Sequence, residues 1–144
     1  MKIVASNIKS IKAERKGQNN NKLKIESGID IHNIEKTDTS LSNKQGTKFD
    51  FKMTIDYTPK IASIVIEGSI LALDEKDESK EILKQWKKKK IDQRLKMFLF
   101  NFILDRYTLK TLTLEEDLGL PTHVPFPKLS FKNNENQNPA NYTG

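Results

Sequence analysis

The densest group of ionic side chains in the sequence is a basic cluster. Residues 84–96 contain seven cations, and their only acidic residue is Asp92. The cluster comprises Lys84, Lys87, Lys88, Lys89, Lys90, Arg94 and Lys96. Such a cluster can bind nucleic acid by neutralising phosphates and releasing counterions, and Trp86 could stack on a base. Lysine lacks the planar fork of base readout, however, so we favour a solvated helix face. Nucleic-acid binding through Lys87, Lys88, Lys89, Lys90 and Arg94 is the alternative hypothesis.

Side chains that could carry out catalysis are few in this sequence. The two histidines, His32 and His123, have no carboxylates around them at the spacing of a known motif, and there is no cysteine. A glycine-rich phosphate loop and a nucleophile elbow are also absent from the sequence. We therefore expect no enzymatic activity, no cofactor and no metal site.

Length and composition indicate the general class of the protein. A chain of 144 residues with 35% hydrophobic content can build one core but not two. The net charge of +6 favours anionic partners. The absence of cysteine suits a reducing compartment, and the start Lys2–Ala5 alternates like a strand rather than resembling a signal peptide. We expect a cytoplasmic protein of one domain.

A long helix from about Ile91 to Leu112 is the element around which the other predictions are arranged. Its centre, Met97 to Leu104, is apolar except for Asn101, so apolar side chains surround the helix axis. The run is eight residues long, and a membrane span needs about 20, so we expect no membrane insertion. One stripe is predicted to pack on a sheet: Ile91, Leu95, Phe98, Leu99, Phe102 and Leu109.

The opposite stripe of this helix requires a second partner. It consists of Met97, Phe100, Leu104 and Tyr107. Leaving these side chains in water would forgo roughly 1.5–3 kcal/mol each. We interpret them as an oligomer interface, in a dimer or a dimer of dimers, because a second copy supplies an identical apolar stripe. The alternative is a helix buried within one large core.

Four strands are predicted before the helix. Residues 2–16 and 23–31 are expected to pair as a hairpin, with a bulge near Lys9 and Ser10. Residues 49–57 alternate strictly between apolar and polar, and residues 61–73 form a more apolar strand in which Gly68 marks a bulge or a close backbone approach. Because the helices follow all the strands, the fold class is α+β, a four-stranded antiparallel sheet followed by a long helix packed on one face.

A proline-containing segment after the helix offers a candidate binding site. Prolines hold its backbone extended, and it could form one wall of a groove for extended polypeptides. The apolar residues concerned are Leu120, Pro121, Val124, Phe126, Leu129 and Phe131. The alternative is that this segment only covers the protein's own core. Residues 1–131 are expected to form the domain, and the asparagine-rich residues 132–144 a disordered tail.

The order of elements resembles that of the SecB export chaperones. The likeness covers roughly Lys2 to Phe131, including Ile8-Lys9-Ser10-Ile11-Lys12-Ala13 in the first strand and Leu118-Gly119-Leu120-Pro121-Thr122-His123-Val124-Pro125-Phe126 after the helix. The resemblance implies a cytosolic homo-oligomer whose long helices lie between sheets of different subunits. It also implies a chaperone of the holdase type that binds unfolded polypeptides in apolar grooves, walled here by residues 120–131.

Two features of this chain differ from the SecB pattern. SecB proteins take part in protein transport and dock a translocase motor through an acidic sheet surface, whereas this chain is basic and its third strand mixes Lys48, Lys52, Asp50 and Asp56. The family also has a final helix, for which residues 132–144 are poorly suited. A scaffold protein that reuses the fold for one specific partner is therefore a further alternative.

Overall fold

The structure is a computed structural model that describes residues 1–17, 22–38 and 44–125. Four strands precede two helices. The elements are β1 (Lys2–Arg15), β2 (Lys24–Thr37), β3 (Lys44–Thr58), β4 (Ala62–Glu75), α1 (Lys76–Lys87) and α2 (Gln93–Asp117). The predicted α+β class is confirmed. The predictions for Phe126, Leu129, Phe131 and the tail lie outside the described residues.

The four strands form one antiparallel sheet in the order β1-β4-β3-β2. The predicted pairing of β1 with β2 is therefore wrong, since these strands lie at opposite edges and pair with β4 and β3 respectively. The two most apolar strands thereby occupy the centre, where both of their edges are paired.

The core lies on one face of β3 and β4. Apolar residues at every second position of each strand are buried, and the residues between them face the other side of the sheet. The buried set is Phe49, Phe51, Met53, Ile55 and Tyr57 in β3 and Ala62, Ile64, Ile66, Ile70 and Ala72 in β4. This confirms the alternation predicted for residues 49–57.

β1 carries two bulges, between Ile3 and Ala5 and between Ile8 and Ser10. The second confirms the bulge predicted near Lys9. Gly68 of β4 lies opposite Ile8, and a Cβ atom there would collide with the carbonyl oxygen of Asn7 and lie 2.9 Å from the Phe51 ring. The close backbone approach predicted at Gly68 is thus present, and glycine is required for steric reasons.

Both helices end within well-defined turns. α1 ends at Lys87, and Lys89 adopts a positive φ of 57°, so the lysine run breaks the helix. The Asp92 carboxylate then accepts hydrogen bonds from the first turn of α2. α2 continues to Asp117, five residues beyond the predicted end, and closes with Gly119 at φ 62°. The amides of Gly119 and Leu120 there donate to the carbonyls of Glu116 and Glu115 (3.1 and 2.8 Å).

The face of α2 that packs on the sheet agrees with the predicted stripe only in part. Leu99 is fully buried, and Ile91, Leu95 and Phe102 are partly buried against the core. The buried residues of α2 recur at every fourth position: Leu99, Ile103, Tyr107, Thr111 and Glu115. Phe98 and Leu109, predicted to face the sheet, are 46% and 75% exposed. Two of the buried positions, Thr111 and Glu115, are polar. A stripe predicted from apolar residues alone therefore does not include them and points in a different direction around the helix axis. In the part of the chain that the structure describes, neither helix could span a membrane.

Tyr107 belongs to the protein's own core, and its assignment to the oligomer interface is wrong. Its ring packs against Phe51 with centroids 5.4 Å apart, and its hydroxyl hydrogen-bonds that of Ser6 in β1. Tyr107 thereby joins α2 to both a central and an edge strand. The other three interface candidates lie elsewhere on α2: Met97 is 58% exposed, Leu104 is 41% exposed and Phe100 is half-buried.

Candidate functional site

The segment after α2 is fixed at its start by contacts with the sheet. The guanidinium of Arg15, at the end of β1, donates to the carbonyl oxygens of Leu118 and Gly119 at 2.9 and 3.1 Å. Leu120 is buried in the core. Leu120 lines neither of the two cavities described below, so the structure does not place it at a groove. The burial of Leu120 supports the alternative that this part of the segment covers the core.

A buried polar group holds the next residues of the segment in place. Glu115 is fully buried at the end of α2, and its carboxylate lies 2.8 Å from Nδ1 of His123. Since a carboxylate can only accept, Nδ1 of His123 carries the hydrogen. The Tyr57 hydroxyl donates to the same carboxylate and lies 2.6 Å from the carbonyl oxygen of Pro121. We call Tyr57, Glu115 and His123 the carboxylate latch, because they tie the segment to β3 and α2.

The environment of the latch keeps Tyr57 protonated. Burial, together with the hydrogen bond to Glu115 and its negative charge, raises the pKa of Tyr57 far above its usual value. The phenol therefore remains a donor and cannot act as a base near neutral pH. Because both oxygens of the Glu115 carboxylate have partners within the latch, we assign it a structural role.

No known motif spacing connects His123 to a carboxylate in the sequence, and the structure pairs it with Glu115. The signal that could have revealed Glu115 is the four-residue period that begins at Leu99, which places Glu115 on the buried side of α2. Apolar patterning could not show this because Glu115 is charged. Among the described residues, no group of three or more histidine, aspartate and glutamate side chains could hold a metal ion.

An apolar cavity of about 280 Å³ lies between β2, α2 and the segment after α2. Ile29 of β2 and Met53 of β3 form its floor, and Phe100, Leu104, His123 and Val124 form its walls. Val124 is thus placed where the sequence predicted a groove wall. Pro121 is exposed, and it does not line this cavity. The carboxylate latch fixes one wall of this cavity, since His123 belongs to the latch and also lines the cavity.

A second cavity, of about 410 Å³, continues from the first along β2. The two share Ile29 and Phe100 as lining residues. The second cavity is closed by Trp86 of α1, Lys89 of the connecting turn and Lys96 of α2. The Lys89 ammonium lies 4.6 Å from the centre of the Trp86 ring, and that of Lys96 lies 5.5 Å from the centre of the Phe100 ring. We call the two cavities together the β2 trough.

The structure separates the cations of the basic cluster into two sets. Lys89 and Lys96 line the β2 trough. The other five cations are exposed and do not line it: Lys84, Lys87, Lys88, Lys90 and Arg94. Within residues 1–17, 22–38 and 44–125, none of the seven cations has a carboxylate oxygen within 4.0 Å. The cluster is therefore not neutralised by the neighbouring acidic residues of α1.

The sheet face that points away from α2 carries a mixed network of charges. Asp50 accepts hydrogen bonds from Lys9 (3.0 Å) and Asn33 (3.2 Å), and Lys48 lies 3.2 Å from Glu35. Burial would raise the pKa of Asp50, but the hydrogen bonds from Lys9 and Asn33 and the charge of Lys48 bring it below its usual value. This face is therefore internally paired and is not a uniformly acidic surface.

Comparison with solved structures finds a neighbour with a similar fold. It is the SecB-like chaperone Rv1957 of Mycobacterium tuberculosis, in complex with a ChAD peptide from the HigA1 antitoxin Rv1956. The match has a TM-score of 0.51 and 14% sequence identity and covers 90% of each chain. The fold of this chain is thus similar to that of a SecB-like chaperone. No protein-family model matches the chain, and no curated protein matches it in sequence.

Proposed function

We propose that this protein is a SecB-like holdase, a cytoplasmic chaperone that binds non-native polypeptides in the β2 trough. The observation that carries the proposal is the apolar cavity between Ile29, Phe100, Leu104 and Val124, which lies open beside an edge strand. An extended chain can place alternate side chains in such a cavity. The neighbouring fold supports the proposal, because that protein is a chaperone in complex with a peptide.

The latch has a direct part in this proposal. A holdase needs an apolar surface that stays open and does not collapse onto itself. Glu115 and Tyr57 hold the backbone around Pro121 and the His123 ring, so Val124 is kept apart from Ile29. The wall is therefore formed before a client arrives, which lowers the ordering cost of binding.

The test is light scattering from an aggregating client protein, with and without this protein at stoichiometric ratios. We expect the wild type to suppress aggregation and Val124→Ser to suppress it less, because the substitution makes a wall of the cavity polar. Val4→Ser is the matched control, since Val4 is an exposed valine on β1 and does not line the trough. Absence of suppression by the wild type would remove the chaperone proposal.

Nucleic-acid binding is the second candidate function, supported by the exposed cations Lys87, Lys88, Lys90 and Arg94, which form no ion pair with any described residue. It predicts affinity for single-stranded oligonucleotides that falls steeply with salt. Replacing Lys87 to Lys90 by serine should then abolish binding. A wild type that binds no oligonucleotide at low salt would end this candidate. A pulldown that returns one folded partner instead of many unfolded ones would favour the scaffold alternative.

A further inference from the structure

The β2 trough has two chemically different ends that meet at Ile29 and Phe100. One end is apolar, with Met53, Leu104 and Val124. The other end carries the ammonium groups of Lys89 and Lys96. Since β2 lines both cavities from Ser27 to His32, the trough extends along six residues of strand, about 20 Å at 3.3 Å per residue. A single extended segment of about six residues can therefore span both ends.

The two lysines at the cationic end lack anionic partners within the described residues. Each ammonium lies over an aromatic ring, which attracts the cation but accepts no charge-assisted hydrogen bond. Asp30 is the one acidic residue among those that line the cavity, and it lies opposite Lys52 in the register of β2 with β3. Two cations thus line the cavity against one aspartate, and neither ammonium lies within 4.0 Å of a carboxylate oxygen of the described residues.

The geometry points to selectivity for acidic clients: the β2 trough prefers polypeptide segments in which apolar residues are followed or preceded by glutamate or aspartate. This inference rests on the proposed holdase function and names the class of segment it accepts. A client carboxylate between Lys89 and Lys96 would gain two charge-assisted contacts, while its apolar neighbours occupy the cavity beside Leu104 and Val124.

The protein itself is a poor occupant of the cationic end. Residues 126–144 follow directly from the trough wall but carry Lys128, Lys132 and Glu135, a net positive segment. Charge complementarity therefore favours an acidic segment of another polypeptide.

The test measures the binding of three fluorescent hexapeptides to the full chain by anisotropy. Each peptide has four apolar residues followed by two glutamates, two glutamines or two lysines. We expect the glutamate peptide to bind about five- to tenfold more tightly than the glutamine peptide at low salt, and the lysine peptide to bind least. The ratio should decline towards one as salt screens the charges.

Two double variants decide whether the trough lysines are responsible. Lys89→Gln with Lys96→Gln should equalise the affinities of the glutamate and glutamine peptides, because it removes the charges that distinguish them. Lys76→Gln with Lys80→Gln removes the same charge from exposed positions of α1 that do not line the trough, and should preserve the preference. Equal loss of preference in both variants would assign it to net charge and overturn the inference.

The outcomes separate this inference from the function on which it rests. Equal binding of glutamate and glutamine peptides by the wild type would overturn the acidic preference and leave the holdase intact. Absence of binding to any peptide, together with absence of client protection, would overturn the holdase itself. Tight binding of a single-stranded oligonucleotide that Lys89→Gln with Lys96→Gln abolishes, without binding of the peptides, would assign the cationic end to nucleic acid instead.

Discussion

Glu115 and His123 are eight residues apart in sequence, and the Glu115 carboxylate lies 2.8 Å from Nδ1 of His123 across the turn that ends α2. Neither side chain has appreciable access to solvent, with exposures of 0% and 5%. The pair therefore forms in an environment where an unpaired carboxylate would be costly. It connects the C-terminal end of the long helix to the wall of the β2 trough.

Removing the acid of the latch should destabilise the protein strongly. We expect Glu115→Ala to lower the free energy of unfolding by about 3 kcal/mol or more, because Tyr57 and His123 both lose their buried partner. Urea denaturation followed by circular dichroism measures this change. Glu116→Ala is the control, since the Glu116 side chain is exposed and its loss should change stability by about 0.5 kcal/mol or less. Equal effects at both positions would show that the latch does not hold the segment.

Gly68 and Gly28 should respond in opposite ways to the addition of a methyl group. We expect Gly68→Ala to destabilise the protein by about 1–3 kcal/mol, because its Cβ would meet the Asn7 carbonyl and the Phe51 ring. A Cβ at Gly28 meets nothing within 4 Å, so Gly28→Ala should be neutral or stabilising by about 0.5 kcal/mol. Thermal unfolding of the two variants compares them directly. A Gly68→Ala protein as stable as the wild type would refute the close approach of β1 and β4.

Asp50 should make the protein lose stability in acid. Its pKa is lower in the folded state than in the unfolded chain, so it stabilises the fold above the unfolded pKa of about 3.9. That contribution is lost as the pH falls through the folded pKa. We expect Asp50→Asn to be less stable than the wild type by about 1–2 kcal/mol at pH 7, with the difference shrinking below about pH 4.

Denaturation of both proteins between pH 7 and pH 3 measures the pH dependence of Asp50. Asp56→Asn is a suitable control on the same strand, because Asp56 forms no ion pair with any described residue. A stability difference for Asp50→Asn that stays constant over this pH range would contradict the assignment.

Oligomerisation through α2 remains a proposal that solution measurements can decide. Met97 and Leu104 are exposed apolar residues, and burying them against a second copy would recover hydrophobic free energy. We expect sedimentation to give a mass above the 16.6 kDa of one chain. The double variant Met97→Lys with Leu104→Lys should sediment with the mass of one chain and keep the circular dichroism spectrum of the wild type.

Leu109→Lys tests the other flank of α2, where Leu109 is 75% exposed. We expect this variant to keep the oligomer mass, because the proposed interface lies on the side of Met97 and Leu104. A wild type that sediments as a single chain would refute the oligomer, and dissociation by Leu109→Lys alone would move the interface to the opposite flank.

The strands and the fold class could be predicted from sequence because a period of two is visible in the side chains themselves. Residues 49–57 show it most clearly, and β3 buries that face. The pairing of β1 could not be predicted in this way, because an edge position beside β2 or beside β4 satisfies the same alternation. Which neighbour β1 has depends on which strands are paired on both sides, and that is a property of the whole sheet.

The orientation of α2 and the latch escaped prediction for a related reason. When apolar residues surround a helix, their positions do not indicate one buried face. The packed stripe is completed by Thr111 and Glu115, which become suitable for burial only through partners supplied by the fold. The basic cluster, by contrast, is visible in the sequence as a run of lysines, but its division between the trough and the solvent depends on the turn at Lys89.

The two bulges of β1 determine where this strand can gain or lose a residue. Fourteen residues of β1, Lys2–Arg15, lie opposite twelve of β4, Ala62–Leu73. A deletion elsewhere in β1 would turn every following side chain to the wrong face. Loss of Val4 would instead join Ile3 to Ala5 with the alternation intact. Insertions and deletions in this edge strand should therefore occur at the bulges, where the pairing already accommodates an extra residue.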